Sequence, residues 1–253
     1  MALEKEKTKA KKAFSYTKEP GSWIMFLAAC ISGVLAAGGP RVITAIVFVS
    51  LSVLLLIKTP VVNMLRTRRA GQLFKSGLAT LALPASAGLA YSIWLYPPLG
   101  LLYAGGALLL ALNYYFEGKR TASPPIFAEV CGMAVMGLVA VIGASLAGGI
   151  SRYLYLWPLF SLFYFASSFR VRYQGRKQKI YRLAGGIYSG ALLVSGLAAA
   201  ALGHPVLLAF LPLAEDVFSA VRQPAENKKL KQIGLLSAAK VIVFAALVVF
   251  LGR

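Results

Sequence analysis

Lys and Arg come in bursts along this sequence, and the stretches between the bursts hold none. No basic residue occurs from Ser76 to Gly118, from Thr121 to Ser151 or from Leu183 to Val221. About 20 apolar residues in a helix span a hydrocarbon core of about 30 Å, so each gap is long enough for one or two membrane crossings. Threading apolar segments back and forth between the bursts puts 23 of the 27 basic residues on one side, all but Arg41, Arg152, Lys240 and Arg253. The excess of positive charge names that side the cytoplasm. A soluble fold is hard to reconcile with such a pattern.

Composition points the same way, with 58% hydrophobic residues, 14% charged residues and a mean hydropathy of +0.72. The formal charge of +19 would otherwise suggest a nucleic-acid surface. Its confinement to short loops and a tail argues for topology and contact with anionic lipid instead, and no nucleic-acid partner is expected. Residues 1–20 read as a basic cytosolic tail, too polar for the apolar core of a signal peptide, and residues 21–253 as a single transmembrane helical domain. Cys30 and Cys131 both lie in apolar segments and read as small core residues. The lone His204 reads as a turn residue at the outer end of a segment.

The threading predicts an all-α, polytopic bundle of about nine helices with a cytoplasmic N-terminus. The helices run approximately over 22–38, 42–58, 76–95, 98–116, 125–147, 151–170, 183–202, 205–221 and 233–251. The outer loops are short and built on Gly or Pro (GGPR, YPPLG, GGIS, LGHP), and the longer inner loops carry the charge. Tyr153, Tyr155 and Trp157 cluster at one end of the sixth segment, with Tyr164 and Tyr173 toward the other, as aromatic belts do at the two membrane faces. Small residues repeat every fourth position at Ala29, Gly33 and Ala37, at Gly143 and Ala147, and at Gly186 and Gly190. Such faces let helix backbones approach closely.

Four of the eight acids fall within or at the ends of the apolar segments: Glu117, Glu129, Glu215 and Asp216. A charge in hydrocarbon costs several kcal/mol unless it is paired or hydrated, which makes these residues and Lys240 an intramembrane polar cluster worth following. Lys240 lies nine residues beyond Lys231, about 13 Å along a helix, and Asp216 lies six residues, about 9 Å, before Arg222. The depths are comparable, so Lys240 is expected to pair with Asp216 or Glu215, in either a structural or a substrate-handling role. Glu129 has no basic neighbour within its own segment, and by depth Asn63 and Arg66 are its candidate partners.

Nine helices, a cytosolic N-terminus and prominent inner loops after the second and sixth segments resemble the UbiA superfamily of intramembrane prenyltransferases. In that superfamily those loops carry acidic motifs of the type NDxxDxxxD and DxxxD that hold Mg²⁺ against a prenyl diphosphate. Here the corresponding stretches read KTPVVNMLRTRR and YFASSFRVRYQGRK, basic where the metal would need carboxylate oxygens. Conventional metal-dependent prenyl transfer is therefore not expected, and no metal, cofactor or catalytic residue is assigned. A closer resemblance, over most of the chain, is to the YwiC-like family of bacterial membrane proteins. It rests on EPGSWIMF at 19–26, FYFASSFRVRYQGRK at 163–177 and LKQIGLLSAAKVIVFAALVVF at 230–250. The first is similar to a family pattern QHGAWAM, keeping Gly21, Trp23 and Met25 and departing at Pro20, where the pattern has His. That resemblance implies architecture and carries no activity with it.

Two functional readings follow. One is a non-catalytic lipid- or isoprenoid-binding bundle of the bacterial cytoplasmic membrane, with a basic rim formed by Asn63, Arg66, Arg68, Arg69, Arg170, Arg172 and Arg176. The planar guanidinium suits bidentate contact with a headgroup or diphosphate, and the partners are membrane lipids, an isoprenoid or quinone among them. The alternative is an accessory subunit packed against other membrane subunits of a respiratory or redox complex. A transporter built on inverted repeats has weaker support, from Pro84, Pro158 and Pro212 inside apolar segments.

Overall fold

The computed structural model describes residues 20–67, 78–118, 126–176, 179–221 and 230–252. All regular structure among them is helical. Long apolar runs have little alternative in a non-aqueous surrounding, because a helix satisfies its own backbone N–H and C=O groups and an open strand edge does not. The helices are α1 (Pro20–Ala36), α2 (Val42–Thr67), α3 (Leu78–Leu95), α4 (Leu99–Gly118) and α5 (Ile126–Gly148). They continue as a single turn α6 (Ile150–Tyr153), α7 (Leu156–Arg176), α8 (Lys179–Ala201), a 3₁₀ helix (Pro205–Leu213), α9 (Ala214–Val221) and α10 (Leu230–Leu251). Counting α6 with α7 and the 3₁₀ helix with α9 as one segment each, the nine expected segments are present among the described residues. Leu99–Glu117, Ile126–Leu146 and Tyr181–Ala201 are long and apolar enough to cross a membrane, and shorter apolar helices include Val42–Lys58 and Leu235–Leu251.

Three segments differ in detail from the sequence expectation. α2 runs nine residues past Lys58, because a helix does not have to stop where its apolar stretch stops. The sixth segment breaks at Leu154 and Tyr155. Pro158 would drive its ring into the carbonyl four residues back, that of Leu154, so the chain turns there and restarts as α7. The eighth segment begins as nine residues of 3₁₀ helix between Pro205 and Leu213 and becomes α-helical only at Ala214, whose N–H bonds to Leu211 O. Pro205 occupies the first helical position, where no donor is missed.

The chain divides into two compact units, Arg41–Gly132 and Pro20–Pro40 with Met133–Arg253. In the first, α2 and α3 pack so closely at Gly88 that a Cβ there would lie 2.4 Å from Ser50 Oγ. Tyr96–Pro98 turns α3 into α4, and the hydroxyls of Ser92 and Tyr103 share a hydrogen bond of 2.9 Å across that turn. Lys58 of α2 reaches Glu117 at the end of α4 at 3.5 Å. Buried Asn113 donates from Nδ2 to the carbonyl of Ala128, and Phe116 packs on Phe127 with centroids 5.9 Å apart.

The second unit has an aromatic centre. Phe160, Phe163 and Tyr164 of α7 and Phe244 of α10 are fully enclosed. Phe163 stacks on Phe244 with centroids 3.9 Å apart, and Phe160 meets the same ring edge-on at 4.9 Å. The Tyr164 hydroxyl, which cannot be left alone in such a place, donates to Met25 O on α1 at 2.7 Å. α1 and α5 touch through backbone: a Cβ on Gly33 would fall 2.0 Å from Ala140 O, and one on Gly143 would fall 2.9 Å from Cys30 O. The stripe of small residues on α1 is therefore a contact face within this unit. A Cβ on Gly186 would likewise stand 2.5 Å from the Cβ of Ala220, so α8 closes on α9 through its own small face.

Candidate functional site

Two features of the second unit are candidates, one ionic and one apolar. The ionic one forms where the 3₁₀ helix becomes α9. Glu215 and Asp216 occupy the first turn of α9, where the positive end of a helix dipole favours carboxylates. Lys240, midway along α10, places its Nζ against Asp216 Oδ1 and Glu215 Oε2 together. Lys240 and Asp216 are each only 7% exposed, and the Glu215 side chain is 39% exposed. One cation thus holds two adjacent carboxylates of one turn and ties α9 to α10.

The apolar feature is a cleft of about 550 Å³ where the start of α7, the start of the 3₁₀ helix and the end of α10 converge. Its walls include Tyr155, Leu159 and Leu162 on one side and His204, Leu207 and Phe210 on the other, with Leu251 at the end of α10. Local structure explains the arrangement. α8 ends in a Schellman motif, with Gly203 N–H on Ala200 O at 3.1 Å and His204 N–H on Ala199 O at 2.9 Å. Gly203 takes φ +93°, which a residue with a side chain rarely adopts, and this turns the chain back into the bundle. A 3₁₀ helix repeats every three residues, so His204, Leu207, Phe210 and Leu213 fall in one line. The first three face the cleft, while Phe210 and Leu213 reach the core. Trp157 stands beside it, its indole N–H on Ala134 O at 3.0 Å.

Of the residues singled out from the sequence, the structure gathers Lys240, Asp216 and Glu215 and places Glu129 in the first turn of α5, half-buried. Arg66 and Asn63 lie in the last part of α2, and Arg170, Arg172 and Arg176 in the last turns of α7. Their side chains fall outside the described residues, as do Arg68, Arg69 and residues 1–19. Among the described residues no three His, Cys, Asp or Glu side chains come together. Sequence reasoning did not find the cleft. Its signal was the three-residue spacing of His204, Leu207 and Phe210 in a stretch that also holds Pro205 and Pro212, which reads as a poor α-helical face.

The sequence profile described as YwiC-like protein matches residues 17–144. The chain belongs to the YwiC-like family. The match takes in the stretch EPGSWIMF, whose Pro20 opens α1 at a position where a missing N–H costs nothing, while the stretches at 163–177 and 230–250 lie beyond it. No curated protein and no solved structure matches the chain significantly. Both candidate features, the ion cluster and the cleft, therefore lie on residues outside the part of the chain that this YwiC-like match covers.

Proposed function

We propose that this YwiC-like protein is a multi-pass protein of the bacterial cytoplasmic membrane, N-terminus in the cytosol, that binds a lipid or isoprenoid without metal-dependent prenyl transfer. The observation that carries the reading is the apolar cleft of about 550 Å³. It falls inside the range of roughly 300–1,000 Å³ typical of small-molecule sites, with apolar walls and few polar groups. An acyl or prenyl chain suits such walls. The ion cluster serves this reading as a clasp: it fixes the junction of the 3₁₀ helix and α9 against α10, and so holds the far wall of the cleft.

The basic rim supports membrane association in a different place. Arg172 lies 16 residues beyond Leu156 on α7, about 24 Å along its axis, so the arginine end and the cleft end of that helix are well separated. The rim would then draw anionic lipid to the cytosolic face and orient the chain. The test is purification in mild detergent followed by lipid extraction and mass spectrometry. A lipid or isoprenoid retained in stoichiometric amount supports the reading. Stoichiometric membrane subunits with no retained lipid would refute it in favour of an accessory role.

A further inference from the structure

We infer that the cleft seats the acyl chain of an anionic glycerophospholipid whose phosphate is held at the Arg152 end of this unit; this rests on the lipid-binding reading above. The argument begins from charge. In the second unit the described carboxylates, Glu215 and Asp216, are engaged with Lys240. Arg152 belongs to the single turn α6, three residues before the cleft residue Tyr155, and is exposed. Its guanidinium lies 5.7 Å from the centroid of the Tyr153 ring, a cation–π contact that steadies the side chain while leaving its donors available. Tyr155 and His204 add hydrogen-bonding groups on the cleft wall itself.

The arrangement suits a molecule that is apolar for most of its length and anionic at one end. The aromatic residues Tyr153, Tyr155 and Trp157 gathered at this end have the amphipathic character of groups that sit at headgroup level. The walls below, Leu159, Leu162, Leu207 and Phe210, offer no polar partner and take a hydrocarbon chain. A planar guanidinium meets phosphate oxygens in pairs, which a zwitterionic headgroup shields with its own ammonium. The anionic lipid is therefore favoured over the neutral one.

The experiment uses the full chain in vesicles of phosphatidylcholine with a minor fraction of phosphatidylglycerol, released for native mass spectrometry. The wild type is expected to carry phosphatidylglycerol enriched over the input by about fivefold more than the chain without Arg152, the factor that one basic residue near anionic lipid supplies. Arg152→Gln is expected to lose that fivefold share, leaving what the arginines of α2 and α7 draw, while total bound lipid is unchanged, and Arg152→Lys to keep part of it. Leu162→Trp, which fills the cleft from an exposed position, is expected to lower total bound lipid with helicity intact by circular dichroism. Enrichment that is unchanged in Arg152→Gln overturns the headgroup assignment and leaves the lipid-binding reading standing. Displacement of the phospholipid by an equal fraction of a prenyl phosphate overturns the choice of glycerophospholipid. Absence of any retained lipid in the wild type overturns the parent reading along with it.

Discussion

Replacing Lys240 with Met removes the cation that two carboxylates share and leaves the side-chain volume nearly unchanged. The cost follows from burial. Asp216 is 7% exposed, so losing the Lys240 contact removes a cation from a buried carboxylate, worth about 3–5 kcal/mol. Asp216→Asn alone is milder: Lys240 keeps Glu215, and the loss is one hydrogen bond between charged groups, about 1.5–3 kcal/mol. The double variant Lys240→Met, Asp216→Asn has no stranded ion at the enclosed position. Its remaining cost is the imperfectly satisfied amide, about 1–3 kcal/mol. The two single losses therefore fail to add, with a coupling of at least ~1.5 kcal/mol. The assay is unfolding of the purified protein in mixed micelles of rising dodecyl sulfate fraction, followed by far-ultraviolet circular dichroism. Additivity within about 0.5 kcal/mol, or a neutral Lys240→Met variant, would refute the shared clasp.

Further expectations concern packing and backbone. Gly33→Ala should destabilise by about 1–3 kcal/mol in the same assay, since its Cβ would fall 2.0 Å from Ala140 O and only separation of α1 from α5 relieves it. Gly105→Ala, where nothing lies within 4 Å in the middle of α4, should stabilise by about 0.5–1 kcal/mol, so the two substitutions should move the midpoint in opposite directions. Tyr164→Phe should cost about 0.5–1.5 kcal/mol through the lost bond to Met25 O, and equal stability of the variant would show that bond to be dispensable. Pro212→Ala supplies the donor that the 3₁₀ helix lacks and should extend α9 backward, seen as slower amide exchange in 208–214; unchanged exchange would mean that proline does not set the winding.

What the sequence disclosed were quantities that depend on one helix at a time. Apolar length and Gly or Pro punctuation located nine segments, and helical rise alone put Lys240 and Asp216 at comparable depth before any contact was known. The small-residue spacing marked Gly33 and Gly186 as contact positions without naming Ala140 or Ala220 as what they meet. The rest depended on backbone winding. Nothing in an apolar count distinguishes a 3₁₀ turn from an α turn, yet that difference sets which of Leu207, Leu208 and Phe210 share a wall. The Pro158 break was visible as a proline, and its effect on Leu154 and Tyr155 as a backbone clash, but the role of Tyr155 in a cleft required α10 and the 3₁₀ helix to arrive at the same place.

The 3₁₀ helix also gives the eighth segment extra length. Nine residues at about 2.0 Å each and the eight of α9 at about 1.5 Å reach about 30 Å, whereas the same 17 residues wound wholly as α-helix would reach about 25 Å. The 3₁₀ winding thus adds about 4–5 Å of reach with no residue added, comparable to the differences in thickness between natural bilayers. Because Asp216 is clasped by Lys240 at one end, the extra reach falls on the His204 side, where Leu207 and Phe210 form the wall. The winding of one short stretch thus decides where the cleft wall stands along the segment, at a distance from the residues that fix its other end.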